Sequence, residues 1–92
     1  MNIYYILMTK ELENFKKKLL YRASYRGTKE MDILLSSFVK KFINDLNQTQ
    51  LSYLEKFLQF EDEIILDFYN FNNVRDDIDK NPISKIFKEF KI

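Results

Sequence analysis

The chain has 92 residues, of which 46% are hydrophobic and 16% aromatic, and it carries a formal net charge of +1. Cysteine and histidine are absent, which excludes disulfides, thiolate metal sites and nucleophilic mechanisms that depend on a histidine base. One glycine and one proline are too few for the many tight turns of an all-β fold. The composition therefore predicts an all-α fold, a single domain over residues 1–92 built as a compact bundle of about five short helices, and it disfavours an enzyme.

The apolar run near the start of the chain is short. It extends from Ile3 to Met8, whereas a membrane-spanning helix needs about 20 apolar residues. It also lacks the basic start and the length of a signal peptide. Residues 1–8 are therefore expected to be a disordered extension; alternatively, Met8 is the true start and the first seven residues precede it. The protein is expected to be cytoplasmic, without membrane insertion.

The first predicted helix runs from about Lys10 to Tyr25. Thr9 is its predicted N-cap, because a threonine hydroxyl can accept a hydrogen bond from the free N–H groups of the first turn. Gly27 follows where a left-handed residue often ends a helix, and Thr28 can cap the next helix at once. The connection between the two helices is thus predicted to be very short. The apolar positions recur at helical spacing, at Leu12, Phe15, Leu19 and Ala23.

The second predicted helix, about Lys29 to Asp45, has the clearest pattern in the sequence. At about 100° per residue, Glu30, Ile33 and Ser37 lie away from its apolar face, toward solvent. The exposed Ile33, beside the pair Arg26 and Glu30, is a candidate docking patch for another protein. The apolar face comprises Met31, Leu34, Leu35, Phe38, Val39, Phe42 and Leu46.

Three further helices are predicted after residue 46. Asn47 and Gln50 have the spacing of a capping box for the third, and Asp62 is the predicted cap of the fourth. The polar segment 70–80 is predicted to be a loop. Asn81–Pro82 then begins a short fifth helix, since proline is favoured at a first helical position. The apolar positions of these helices are Leu51, Leu54, Phe57, Leu58, Ile65, Phe68, Tyr69, Ile83, Ile86, Phe87 and Phe90.

Two charged regions suggest other functions. The acidic groups at 61–63 and 76–79 lack the spacing and the glycine of a calcium loop, which favours a solvated surface. The basic run Lys16–Lys18 suggests nucleic-acid binding, with Tyr21 and Tyr25 available to stack on bases. The nearly neutral charge and the lack of a helix-turn-helix pattern weigh against it. A small helical nucleic-acid-binding regulator is therefore the alternative function, and a self-associating structural bundle also stays open.

The most informative segment is RGTKEMD at residues 26–32, where the first two predicted helices meet. Its pattern RGxxExD resembles the RGxxE motif of the succinate dehydrogenase assembly factors of bacteria and mitochondria. The resemblance includes the preceding Tyr21-Arg22, and weaker similarity covers roughly residues 10–72. A purely structural interpretation also exists, in which Gly27 ends a helix and Arg26 pairs with Glu30 across the turn.

The resemblance implies a non-enzymatic assembly chaperone. Such a protein binds the flavoprotein subunit of succinate dehydrogenase, or of fumarate reductase, and promotes covalent attachment of FAD to a histidine of that subunit. The chaperone is expected to be a monomer that holds no cofactor or metal of its own. Arg26 and Glu30 are expected to be largely exposed. The expected partner-binding residues are Arg22, Arg26, Gly27, Glu30, Asp32 and Ile33.

Overall fold

The computed structural model describes residues 2–92, which form five α-helices, one 3₁₀ turn and no strand. The all-α fold predicted from the sequence is confirmed. No helix in this described part of the chain combines the length and the apolar character needed to cross a membrane. The helices are α1 (Ile3–Ser24), α2 (Lys29–Phe42), α3 (Gln48–Leu58), α4 (Asp62–Phe71) and α5 (Pro82–Glu89), with the 3₁₀ turn at Ile78–Lys80.

The first helix begins earlier than predicted. The side chain of Asn2 accepts a hydrogen bond from the N–H of Tyr4 at 2.8 Å, so Asn2 is the N-cap and the predicted cap, Thr9, is wrong. Thr9 lies inside α1, where its hydroxyl donates to the carbonyl of Tyr5. Residues 3–8, expected to be disordered, are thus helical, and their side chains are exposed. Asn2 directly follows Met1, which itself lies outside the described residues, and its cap lets the helix start before any core contact.

Three of the predicted caps are confirmed, because each depends on residues that are close in sequence. Thr28 accepts from the N–H of Met31, and Asn47 forms a complete capping box at the start of α3. Asn81 accepts from the N–H of Ile83 at 2.8 Å, with proline at the first position of α5. The predicted cap Asp62 is wrong: Glu61 is the N-cap of α4 without a side-chain bond, and Asp62 is the first helical residue.

Phenylalanine rings from three helices meet at the centre of the core. Phe38 of α2 lies 6.3 Å from Phe57 of α3 and 5.1 Å from Phe87 of α5, measured between ring centroids. The ring of Phe90, which follows α5, lies 5.4 Å from that of Phe38. The apolar faces predicted from helical spacing therefore do face one another. Apart from Phe38, Phe57, Phe87 and Phe90, the buried core comprises Leu19, Ala23, Met31, Leu34, Leu35, Val39, Ile43, Leu51, Leu54, Leu58, Ile64, Ile65, Phe68, Ile78 and Ile83.

The segment 70–80 is more ordered than the predicted loop. α4 continues to Phe71 and ends at Asn72, which has a left-handed backbone with φ +55°. Ile78, in the 3₁₀ turn, is fully buried, and its carbonyl accepts a hydrogen bond from the buried hydroxyl of Ser84 at 2.6 Å. The composition of the segment is polar, but one isoleucine is enough to attach it to the core.

Candidate functional site

The connection between α1 and α2, residues 25–28, holds the motif arginine in an inward position. The Arg26 side chain is only 11% exposed, and its Nε donates to Asp62 Oδ1 at 2.8 Å. Its two terminal nitrogens donate to the carbonyls of Leu58 and Phe60 at 2.6 and 2.7 Å. The expectation that Arg26 is largely exposed is therefore wrong. A planar guanidinium with several donors suits this position, because it satisfies carbonyls that α3 leaves free at its C-terminal end.

The backbone of the same connection is fixed by two further features. Gly27 has φ +115°, a region that L-residues with side chains rarely adopt, so the predicted positive φ is confirmed. The backbone N–H of Arg26 donates to Asp32 Oδ1 at 2.5 Å, which ties the connection to the first turn of α2. Asp32, one of the expected partner-binding residues, thus has a fold contact of its own. The alternative structural interpretation, in which Arg26 pairs with Glu30, is not met among residues 2–92, since Asp62 is the partner.

Glu30 and Ile33 point outward from α2, as predicted. Ile33 is 47% exposed, and Glu30 is exposed and takes part in no ion pair or side-chain hydrogen bond among the described residues. Both line an open groove of about 360 Å³ between α2 and α4. The other lining residues are Leu34, Leu66, Tyr69, Asn70 and Ile92. An unpaired carboxylate beside apolar side chains can bind a segment that offers a cation and an apolar group.

Arg22 lies on a different side of the connection. It forms an ion pair with Glu55 of α3 at 3.3 Å and is 38% exposed. It lines a wide groove of about 710 Å³ together with Tyr21 and Tyr25, whose ring centroids are 4.6 Å apart. The two tyrosines are exposed and in contact with each other. Sequence reasoning considered them only as stacking groups for bases.

Of the six expected partner-binding residues, three are exposed or partly exposed on grooves and three shape the connection. Glu30 and Ile33 are exposed on one groove, and Arg22 is partly exposed on another. Arg26, Gly27 and Asp32 shape the connection between them. The sequence did not reveal that Asp62 belongs to this arrangement, because its contact with Arg26 joins residues that are 36 positions apart. The sequence signal available at Asp62 was its predicted position as the N-cap of the fourth helix.

The acidic groups do not form a metal centre. Among residues 2–92, no group of three or more acidic side chains is arranged to hold a metal ion. Glu61, Glu63, Asp76, Asp77 and Asp79 are exposed, as expected for a solvated surface. Asp62, which was expected to be solvated with them, is instead half-buried against Arg26.

Residues 17–91 match a family model described as flavinator of succinate dehydrogenase. The chain belongs to this family. The family that the RGxxE pattern indicated is thereby confirmed. The expectation that the resemblance ends near residue 72 is wrong, because the flavinator match includes the 3₁₀ turn and α5.

Curated relatives have names that agree with the flavinator family. The chain is 43% identical to succinate dehydrogenase assembly factor 2-B, mitochondrial, of Drosophila willistoni over 47 residues. These residues are 51% of this chain and 30% of the relative. It is 40% identical over 58 residues to assembly factor 2, mitochondrial, of Dictyostelium discoideum, a match that includes 63% of this chain and 41% of the relative. It is 31% identical over 81 residues to the Scheffersomyces stipitis protein of the same name (88% and 51%). The matched part is thus between 30% and 51% of these relatives' lengths, and no solved structure gives a significant match.

Proposed function

We propose that this protein binds the flavoprotein subunit of succinate dehydrogenase and promotes covalent attachment of FAD to a histidine of that subunit. The observation that carries the proposal is the flavinator match over residues 17–91, which contains the whole RGxxE segment. The exposed pair Glu30 and Ile33 supports it, since a partner can reach both side chains. Fumarate reductase as a second client, the monomeric state and the cytoplasmic location stay predictions.

The proposed role is positioning and not chemistry. The chain has no histidine, so the group that becomes linked to the flavin belongs to the partner. A helper that holds the partner with this group aligned to the flavin can contribute several kcal/mol, because alignment replaces a loose encounter. Glu30 and Ile33 are the proposed contacts. Arg22, on the wide groove at the other side of the connection, is proposed as a further contact. Arg26, Gly27 and Asp32 are proposed to fix the α1–α2 connection and thereby the positions of these contacts.

The chain is not proposed to hold FAD by a motif of its own. Its single glycine cannot supply the glycine-rich turn of a dinucleotide site. The grooves on both sides of the connection are open, and neither is an enclosed cofactor cavity. FAD is therefore treated as a component of the partner, on which the chaperone acts.

A reconstitution assay tests the proposed function directly. Purified flavoprotein subunit without flavin is incubated with FAD, in the presence and absence of this chain, and covalent flavin is measured by fluorescence in a denaturing gel. We expect the rate of covalent attachment to rise by at least about tenfold, which corresponds to about 1.4 kcal/mol. Equal rates with and without the chain would overturn the proposal. Bovine serum albumin at the same concentration controls for non-specific protection of the subunit.

A further inference from the structure

A third groove lies at the opposite end of α2 from Glu30. It has a volume of about 470 Å³ and lies between the C-terminal end of α2 and α5. Lys41 and Ile33 are eight positions apart, which places the groove about 12 Å along the helix from the surface described above. Its lining residues are Lys41, Phe42, Lys85, Ile86, Glu89, Phe90 and Lys91. We refer to these residues as the basic groove.

The floor of the basic groove is apolar and its edge is positively charged. Phe42 and Ile86 are half-buried and pack on the core, and Phe90 is 6% exposed. Lys41, Lys85 and Lys91 are exposed and form no ion pair among residues 2–92. Lys41 Nζ lies 5.5 Å from the ring centroid of Phe42 and 5.6 Å from that of Phe90. Glu89 is the one acidic residue of the lining, so positive charge is in excess.

Another lysine of α5 shows what a structural role looks like in this fold. Lys88 is half-buried, and its Nζ donates to the carbonyls of Phe68 and Tyr69 at 2.5 and 2.8 Å. Neither Lys85 nor Lys91 makes such a hydrogen bond within the described chain, although Lys91 Nζ lies 5.2 Å from the ring centroid of Tyr69. The ammonium groups of the basic groove are therefore available to an anionic partner at little cost to stability.

We propose that the basic groove binds an acidic peptide segment of another protein, one that carries an apolar side chain among its acidic residues. Carboxylates would pair with Lys41, Lys85 and Lys91, and the apolar side chain would cover Phe42 and Ile86. Such charge complementarity guides association and sets the partner's register. The segment after residue 72, for which the sequence indicated no role, thereby supplies five of the seven residues of an interaction surface.

Two other anionic partners fit the groove less well. Nucleic acid binds such surfaces through base stacking on exposed aromatic rings, whereas Phe90 is buried and Phe42 is half-buried. A second copy of this chain could offer its own acidic residues at 61–63. That contact joins two different surfaces of the same protein, so it propagates into rings or open chains. Both alternatives become outcomes of the test.

The test selects peptides without assuming their sequence. The full chain is immobilised and a random heptapeptide display library is selected against it, in an experiment that contains neither flavoprotein nor FAD. The enriched peptides are then synthesised, and their Kd is measured by fluorescence anisotropy. We expect enrichment of Asp and Glu together with Leu, Ile or Phe, and a clear loss of affinity when the apolar side chain of a selected peptide is replaced by serine.

Matched variants locate the binding site. The triple variant Lys41→Gln, Lys85→Gln and Lys91→Gln should bind the selected peptides at least about tenfold more weakly. The control, Lys10→Gln, Lys17→Gln and Lys18→Gln, makes the same change of net charge at exposed positions of α1 and should bind like wild type. Thermal melting checks that both variants fold.

Four results would overturn the proposal. They are enrichment of neutral or basic peptides, equal loss of affinity in both triple variants, tighter binding of a single-stranded oligonucleotide through the same lysines, and a mass by light scattering that rises with concentration and falls in the groove variant. Because flavinylation is not measured, a failure here leaves the proposed function standing, and a failure of the reconstitution assay leaves the basic groove standing.

Discussion

Arg26 Nε and Asp62 Oδ1 are 2.8 Å apart, and this ion pair joins the α1–α2 connection to the first turn of α4. The carboxylate also lies at the N-terminal end of a helix, where negative charge is favourable. The same guanidinium donates to the carbonyls of Leu58 and Phe60, on either side of the end of α3. One side chain thus holds together two connections that are far apart in sequence. The arginine of the RGxxE segment thus fixes the connection that precedes the helix carrying Glu30 and Ile33.

The first prediction concerns Arg26. Arg26→Ala should lower the free energy of unfolding by about 2–4 kcal/mol, because it leaves a half-buried carboxylate and two carbonyls without their donor. Arg26→Lys should also destabilise, since an ammonium cannot reproduce the planar arrangement of three donors. Urea denaturation measures both. Arg22→Ala is the control: its ion pair with Glu55 is partly exposed and should contribute about 0–1 kcal/mol. Equal losses for Arg26→Ala and Arg22→Ala would contradict the structural role.

The second prediction concerns the backbone at Gly27. A Cβ added at this position meets no atom within 4 Å, so Gly27→Ala has no steric clash to overcome. Its cost should come from the positive φ alone, about 1–2 kcal/mol in the free energy of unfolding. Asn72→Gly is the contrasting variant, because Asn72 already has φ +55° and glycine adopts that conformation freely. Chemical denaturation should show a change below about 0.5 kcal/mol for Asn72→Gly. A neutral Gly27→Ala would mean that the connection relaxes to another conformation.

The third prediction concerns the attachment of α5 to α4. Lys88→Met keeps the length of the side chain and removes its donors to the carbonyls of Phe68 and Tyr69. These carbonyls lie in the last turn of α4, where a cation is also favoured by the helix dipole. The free energy of unfolding should fall by about 1–2 kcal/mol. Lys85→Met, an exposed position on the same helix, should change it by less than about 0.5 kcal/mol. If the two variants melt alike, the Lys88 contacts do not stabilise the fold.

Local signals in the sequence predicted much of this fold. The caps at Thr28, Asn47 and Asn81 each bond a backbone group two or three residues away, so their chemistry is visible in a short window. The apolar face of α2 follows from a period that the helix itself imposes. Its outward residue, Ile33, was identified for the same reason.

The inward position of Arg26 could not be predicted in this way. Its acceptors lie at the end of α3, in the α3–α4 connection and at the start of α4, 32 to 36 residues away, and nothing near the arginine indicates them. An arginine in a turn is most often solvated, so the local expectation was exposure. The start of α1 at Ile3 could not be predicted for a related reason. Asn2 and Thr9 are both suitable caps, and no core contact distinguishes them.

The last prediction separates binding from folding on the Glu30 and Ile33 surface. Both side chains are exposed, and Glu30 has no partner among the described residues. Glu30→Gln and Ile33→Ser should therefore change the free energy of unfolding by less than about 0.5 kcal/mol. At a desolvated interface, removing either group costs more, because it leaves a partner charge unpaired or an apolar contact unfilled. Each variant should weaken binding of the purified flavoprotein subunit by at least about tenfold, or about 1.4 kcal/mol.

The controls for this last prediction match each substitution in chemistry and exposure. Val74→Ser removes an apolar side chain that is 47% exposed, the same fraction as Ile33, from the segment after α4. Glu13→Gln removes an exposed charge from α1. Isothermal titration calorimetry on the same preparations should give wild-type affinity for both controls. If Ile33→Ser and Glu30→Gln also bind like wild type, the partner contacts another surface; if they unfold the protein, the two side chains belong to the fold.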